Sequence, residues 1–298
     1  MVNPTAGRGR TRSLLPKLER AFHRRGIAMH VASDAADGHR EAREAFARGE
    51  GVVACGGDGT VSGLAAVASD ADGPLAVVPT GAGNDFARQL GMDHRHALDA
   101  ISLLDAEHTT RVDLGRACSD DGTESVFTTV ANTGFDADAN RWANGVRWAT
   151  GTPLYVLAVA RTLAAYRPRP FQVRVDDEKW EGDAWLIAVG NGRWYAGGMM
   201  IVPSAKVDDG ELDVCIIERA SVRTFVANFP KVFKGTHTEL DEVTLLRGRQ
   251  IEISTPDDDR PMDLWASGER VGPLPGRLEA IPAALEVVVP PESPITRR

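Results

Sequence analysis

The sequence predicts an α/β protein in two parts: a parallel sheet covered by helices over residues 1–109, then a mainly antiparallel, sandwich-like β-rich domain with helical inserts over 110–298. Three observations lead there. A chain of 298 residues has room for two cores of ordinary size. Up to about Glu107, short apolar runs alternate with helical patterns, as in a sheet whose strands are joined by helices. From about His108 the runs become closely spaced and alternate apolar with polar, as antiparallel strands do. The boundary is placed near residues 107–111, and the C-terminal end is left free to pack back on the first domain.

In the first part, Ala28–Ser33 (AMHVAS), Gly51–Cys55 (GVVAC) and Pro74–Pro79 (PLAVVP) have the unbroken apolar character of strands buried on both faces. Between the first two, DGHREAREAFARGE sets Ala42, Ala45 and Phe46 at three- and four-residue spacing, which makes an amphipathic surface helix. A further strand is expected ahead of the turn NPTAGRGR, where a single apolar residue, Val2, precedes the turn: either the start is misplaced or the edge is short. In the second part the strand runs are TTRVDLGRA, SVFTTVANTG, FQVRVDD, AWLIAVGNG, ELDVCIIE and QIEIST. Two helices interrupt them, one at Thr152–Tyr166 and one at Ser221–Gly235, the latter bent or broken at Pro230.

With 43% hydrophobic and 26% charged residues and no repeat, the composition is that of a packed globular protein. A net charge of −8 with scattered basic residues argues against nucleic acid as a partner. No apolar run reaches the roughly 18 to 20 residues of a membrane span, and a signal peptide is missing from the N-terminus. A cytoplasmic protein is expected. Cys55, Cys118 and Cys215 lack metal-ligand spacing and read as reduced core thiols. The dispersed histidines, the His94/His96 pair included, give no zinc site.

The chemistry is concentrated in glycine-rich turns. GGDGT, Gly56–Thr60, follows the strand ending at Cys55 and opens a helix. Its glycines let the backbone approach a ligand closely, and the helix start offers free N–H groups and a positive dipole end to phosphate. Asp58 in its middle would repel bare phosphate; it makes sense if Mg²⁺ or a substrate hydroxyl lies between. Taken alone, the motif equally describes a plain strand-to-helix turn with an Asp cap. PTGAGNDFARQLG, Pro79–Gly91, repeats the arrangement on the next strand, and NPTAGRGR, Asn3–Arg10, would leave the first strand at the same edge. That edge is where α/β sheets bind ligands. None of the three has the Lys-Ser/Thr of a P-loop.

These motifs resemble the catalytic domain of the diacylglycerol kinase family, including the bacterial lipid kinases and, more distantly, the sphingosine and ceramide kinases. The resemblance runs over nearly the whole chain. In the second half NTGFDADAN, Asn132–Asn140, and the long VGNGRWYAGGMMIVPSAKVDDGELDV, Val189–Val214, look like the family's β-domain signature. The resemblance implies an ATP-dependent kinase that transfers the γ-phosphate to a hydroxyl of diacylglycerol or a similar lipid, with a role in phospholipid biosynthesis. It implies Asn3, Thr5, Gly7, Gly57, Asp58, Gly59, Thr60 and Thr80 as nucleotide contacts, with Ser33 as a further one. It also implies a structural Mg²⁺ held in VDDGELDV by Asp209 first and Asp208 second, a loop that otherwise reads as an Asp-Gly hairpin turn. The lipid would be presented at a membrane surface with which the protein associates transiently, and a homodimer is compatible with all of this.

One motif departs from the family. ASGERVG, Ala266–Gly272, has Ser267 where the kinases it resembles carry Asp in Asp-Gly-Glu. Serine is a weak neutral ligand and no substitute for a carboxylate base. Glu269 is therefore expected to accept the substrate proton while Asp58 organises metal and phosphates. Two alternatives are a nucleotide or lipid sensor without catalysis, and an NAD kinase, which shares a GGDGT-like loop. All six tryptophans lie in the second half and are expected in the core or the cleft wall. The acidic run at Pro256–Pro261 is expected as a solvated turn.

Overall fold

Strands β1 (Val52–Gly56) and β2 (Leu75–Pro79) pair in parallel, from Val52↔Leu75 to Gly56↔Pro79. The computed structural model describes residues 1–92, 96–105, 108–135, 167–256 and 262–295. Helix α3 (Asp58–Ala71) makes the crossover, burying Val61, Leu64, Ala65 and Ala68 at helical spacing against the sheet. Helix α2 (Ala35–Ala47) packs on α3 through Ala42 and Ala45. Its N-cap Asp34 accepts the Asp37 N–H (2.8 Å), which fixes where the helix begins.

Two local expectations change. Ala28–Ser33 is not a strand: it is extended chain joined to the sheet by a single parallel bridge, Val2↔Val31. Its partner is the three-residue stretch around Val2, which bonds the His30 carbonyl and the Ala32 N–H and has no length for a ladder. A helix the sequence pattern did not suggest, α1 (Arg10–His23), precedes it with Pro16 in its interior. Leu18, Ala21 and Phe22 of α1 pack on Val2, Cys55 and Val78, and that burial outweighs the missing Pro N–H.

The β-rich part is one continuation of the same sheet. Strand β3 (Thr109–Ser119) pairs with β4 (Glu124–Phe127), and β5 (Val130–Gly134) with β7 (Glu178–Gly190). Strand β7 also pairs with β6 (Arg169–Val175) and β10 (Leu212–Glu218). A small hairpin, β8 (Trp194–Tyr195) and β9 (Met199–Met200), stands apart as a second sheet. Helix α5 (Val222–Asn228) runs into a 3₁₀ turn at Phe229–Lys234. The helix changes character at Phe229–Pro230, as the proline predicts. Then follow β11 (Val243–Gly248), β12 (Gln250–Ser254), β13 (Asp263–Ala266), β14 (Glu269–Pro273) and β15 (Gly276–Val288). Among themselves and with β3, β5, β6 and β10 these strands pair antiparallel.

Strand β15 holds the two parts together. It pairs with β3 from Gly276↔Ser119 to Val288↔Thr109, and in parallel with β2 at Val287↔Leu75. Val112 and Leu114 of β3 and Leu285 and Val287 of β15 are buried in one cluster with Val52, Leu64 and Leu75. A second cluster, with Phe171, Ile187, Leu212 and Leu264, fills the β-rich part. A third, with Trp185, Ile201 and Phe225, lies on the far face of β7 and β10. The expected helix at 152–166, part of the NTGFDADAN motif, His94 and most of the acidic run at 256–261 fall outside the described residues.

Candidate active site

The three glycine-rich turns meet backbone to backbone. A Cβ on Gly81 would lie 2.3 Å from Gly57 Cα, and one on Gly7, where φ is +60°, would lie 2.5 Å from the Thr80 carbonyl oxygen. Side chains there would drive the turns apart. Arg10 Nη2 donates to the Gly81 carbonyl (3.1 Å), fastening α1 to the third turn.

The polar residues expected at the nucleotide gather at the start of α3. Asn3 Nδ2 donates to Thr60 Oγ1 (2.8 Å), and Asn3 Oδ1 accepts the Thr5 N–H (3.0 Å) and hydroxyl (2.7 Å). These three share one cleft with Ser33, Gly59, Ser267 and Glu269. Gly57 caps α3 with no side-chain hydrogen bond, so the first-turn N–H groups lack an intrahelical partner and carry the positive end of the dipole. The Glu269 carboxylate stands over Gly59, where a Cβ would come within 2.9 Å of its Oε1. Gly7, Gly57 and Thr80 do not line this cleft; they hold the turns together, and Thr80 is fully buried.

Asp58 points the other way. Its Oδ1 accepts the Phe86 N–H (3.1 Å) at the start of helix α4 (Asp85–Gln89). A Cβ on Gly83 would lie 2.9 Å from Asp58 Oδ2 and 3.2 Å from Asp85 Oδ2, so the two carboxylates flank this glycine. Asp85 is ion-paired with Arg88, and its Oδ2 accepts the Gly197 N–H (2.8 Å) from the β8–β9 hairpin. Burial, and after it the charge of Asp85, push the Asp58 carboxyl up to about 6, against the pull of backbone N–H groups at Asn84 to Phe86. Burial likewise raises Asp85.

Residues 1–117 match the family described as the diacylglycerol kinase catalytic domain, and residues 129–289 match the YegS C-terminal NAD kinase beta sandwich-like domain. The chain is 36% identical over 294 residues to a diacylglycerol kinase of Mycobacterium tuberculosis (strain ATCC 25618 / H37Rv), covering 97% of this chain and 94% of that one. The chain belongs to the diacylglycerol kinase family. A diacylglycerol kinase of Bacillus subtilis (strain 168) is 25% identical over 305 residues, with 98% of this chain and 96% of that one covered. The solved structure of a diacylglycerol kinase from Bacillus anthracis str. Sterne has the same fold, with a TM-score of 0.72 at 21% identity over 97% of this chain and 95% of that one. The protein is thus a lipid kinase of the diacylglycerol kinase type, and membership of a kinase family implies ATP as phosphate donor.

Within this diacylglycerol kinase fold, Ser267 is the first of two turn residues between β13 and β14, with φ of +49° followed by +82° at Gly268. Such a turn favours Asp-Gly or Asn-Gly, whose first residue tolerates positive φ. Ser267 Oγ is instead 2.7 Å from Ser62 Oγ on α3, which is 2.9 Å from Thr128 Oγ1. The serine ties the hairpin to the helix through neutral hydroxyls.

Asp209 is engaged by Arg247, and its Oδ1 accepts the Glu211 N–H (3.2 Å). Asp208 lies beside it, in a pocket shared with Asp113. Asp113 accepts the Gly210 N–H (2.6 Å) and the Ala283 N–H (2.6 Å), tying the loop to β15.

Sequence reading missed Asp85, Arg88 and His39. His39 reaches the cleft from α2 by lying over Gly63, where a Cβ would come within 2.5 Å of its Nε2. Gly59 and Gly63 are one turn apart on α3, so Glu269 and His39 lie side by side on a bare helix face. Burial and then Arg43 lower the His39 pKa, with Glu269 opposing. The Gly-x-x-x-Gly spacing was the available signal, and it becomes informative only once α2 is known to cross there.

Proposed function

We propose that the protein transfers the γ-phosphate of ATP to a hydroxyl of diacylglycerol or a similar lipid, with residues 1–109 holding the nucleotide and 110–298 the lipid. The observation that carries it is the division of labour about GGDGT. On one side, Asn3, Thr5, Thr60, Ser33 and Glu269 surround a helix start that favours anions. On the other, Asp58 stands beside Asp85 at the hairpin from the second part.

In this scheme Asp58, in place of the Glu269 expected from the sequence, takes the hydroxyl proton. A carboxyl at about 6 is a stronger base than an ordinary aspartate and still mostly ionised at neutral pH. Glu269, on the nucleotide side over Gly59, positions the nucleotide. Asp85, beside Asp58 at Gly83, offers the hard carboxylate oxygens that suit Mg²⁺ and would hold it, with Asp58 left uncoordinated as the base. When bound, the ion supplies charge neutralisation for the phosphates. Positioning by the glycine turns, Asn3 and Thr60 does the rest.

The test is to incubate the protein with ATP labelled in the γ-phosphate and total cellular lipid, and to identify the labelled product. Label in a phosphatidic acid-like lipid is expected. ATP binding with no labelled lipid would leave the sensor alternative, and label in NADP would transfer the protein to the NAD kinases.

A further inference from the structure

Helix α5 and the 3₁₀ turn behind it carry an unusual surface. Three of the six large hydrophobic side chains that stand exposed among the described residues fall here: Val222 (41%), Val226 (51%) and Phe233 (52%). Val222 and Val226 are one turn apart and share a face. Phe233 is the outer end of an aromatic ladder: Trp185 stacks on Phe225 (4.9 Å), Phe225 lies 6.3 Å from Phe229, and Phe229 meets Phe233 edge-on (6.0 Å). The inner rungs are packed, while the outer one is half in solvent.

Charge follows the same stretch. Between Glu218 and Glu239 the sequence contains no acidic residue, in a chain whose net charge is −8. Arg223, Lys231 and Lys234 are exposed, and among the described residues none has a carboxylate partner. Arg219 is paired with Asp183 and is left out of the surface. Outward apolar side chains among unpaired basic ones, on a short helical segment, are the composition of an element lying in a lipid interface.

The segment is also connected to the reaction edge. Its 3₁₀ turn packs on β9, and Gly235 just beyond it lies against Met200 and Pro203. The tip of that same β8–β9 hairpin gives the Gly197 N–H to Asp85, beside Asp58.

The geometry points to Val222–Lys234 as a docking surface for an anionic lipid bilayer, on which Val222, Val226 and Phe233 enter the headgroup boundary while Arg223, Lys231 and Lys234 meet the lipid phosphates. This rests on the lipid-kinase reading, since such an enzyme must reach a hydroxyl held in a membrane. A second copy of the chain would bring like charges together across the patch; an anionic bilayer satisfies both halves of it.

Flotation with vesicles, without ATP, tests the surface independently of turnover. Vesicles of phosphatidylglycerol and phosphatidylcholine are expected to carry the protein, and pure phosphatidylcholine far less. Lys231→Gln and Lys234→Gln should each weaken binding roughly fivefold at low salt, with the difference shrinking at high salt. Val226→Ala with Phe233→Ala should weaken it roughly tenfold at any salt. Phosphorylation of a water-soluble short-chain diacylglycerol should be unchanged in all these variants, while that of long-chain diacylglycerol in vesicles falls with binding. Undiminished binding by the combined variant, or equal binding to neutral vesicles, would overturn the docking surface. Absence of activity on either substrate would overturn the kinase proposal instead, leaving flotation to decide the surface.

Discussion

Asp58 and Ser267 hold most of the catalytic question. The Asp58 carboxyl stands at about 6 in the folded protein against an ordinary value near 3.8, so the folded state binds this proton more tightly than the unfolded one. Stability linked to this group is therefore greatest below about pH 4 and is lost as pH rises through 6. Asp58→Asn, which removes the buried charge and keeps an acceptor for the Phe86 N–H, is expected to raise Tm at pH 8, to change it little at pH 4, and to abolish phosphorylation. A lower Tm at pH 8 in thermal melts would make Asp58 a helix cap and not a strained base. Ser267→Asp suits the positive-φ turn better than serine does and adds an anion near Ser62. If the position faces the transferred phosphate, kcat rises by a factor of roughly 10 to 1,000, the range of one well-placed acid–base group. An unchanged kcat in steady-state assays would assign Ser267 to joining hairpin and helix alone.

Two elements were legible as turns in the sequence and acquired their roles from neighbours. The loop with Asp208 and Asp209 reads as a hairpin or a Mg²⁺ site, and the fold adds Arg247 from β11 against Asp209. Asp209→Asn is expected to lower Tm by breaking this contact whether or not metal is present. A structural Mg²⁺ in addition should raise the Tm of the natural protein in millimolar MgCl₂, and the rise should be lost in the variant. Melting curves that ignore Mg²⁺ in both proteins would leave only the ion pair. Helix α3 is the second case: its GGDGT start was recognisable, but its bare face at Gly59 and Gly63 becomes a site wall only because Glu269 and His39 arrive from remote positions.

Across the whole molecule, the feature that matters is the return of β15. Its pairing with both β3 and β2 places Leu285 and Val287 in the core of the N-terminal helices and sheet. A shared core makes separate unfolding of the two parts unfavourable, since parting them exposes buried apolar side chains on both. All six tryptophans lie beyond residue 140, so their fluorescence reports the second part, whereas the long described helices α1, α2 and α3 lie in the first. Thermal unfolding followed by tryptophan fluorescence and by helical circular dichroism is expected to give coincident transitions. Two resolved midpoints would show that β15 is a detachable strap. Val287→Asp, which buries an unpaired charge at the β2 contact, should lower both signals together by several degrees.

The sequence by itself determined the class of the fold, the glycine turns and the proline break at Pro230, because these follow from short-range rules: side-chain periodicity, positive φ and a missing N–H. It also determined the family, through residue patterns that run along most of the chain. Tertiary structure decided what those rules cannot reach. Short-range pattern made a strand of Ala28–Ser33, and the brevity of its partner left it a single bridge. The helix α1, with Pro16 inside, has a weak local pattern and is held by burial of Leu18 and Phe22. Whether a carboxylate is a base, a cap or half of an ion pair depends on what approaches it from tens or hundreds of residues away: Asp85 and Phe86 at Asp58, Arg247 at Asp209, Gly59 at Glu269. Burial and neighbouring charge set a carboxyl's proton affinity, and both are properties of the folded chain.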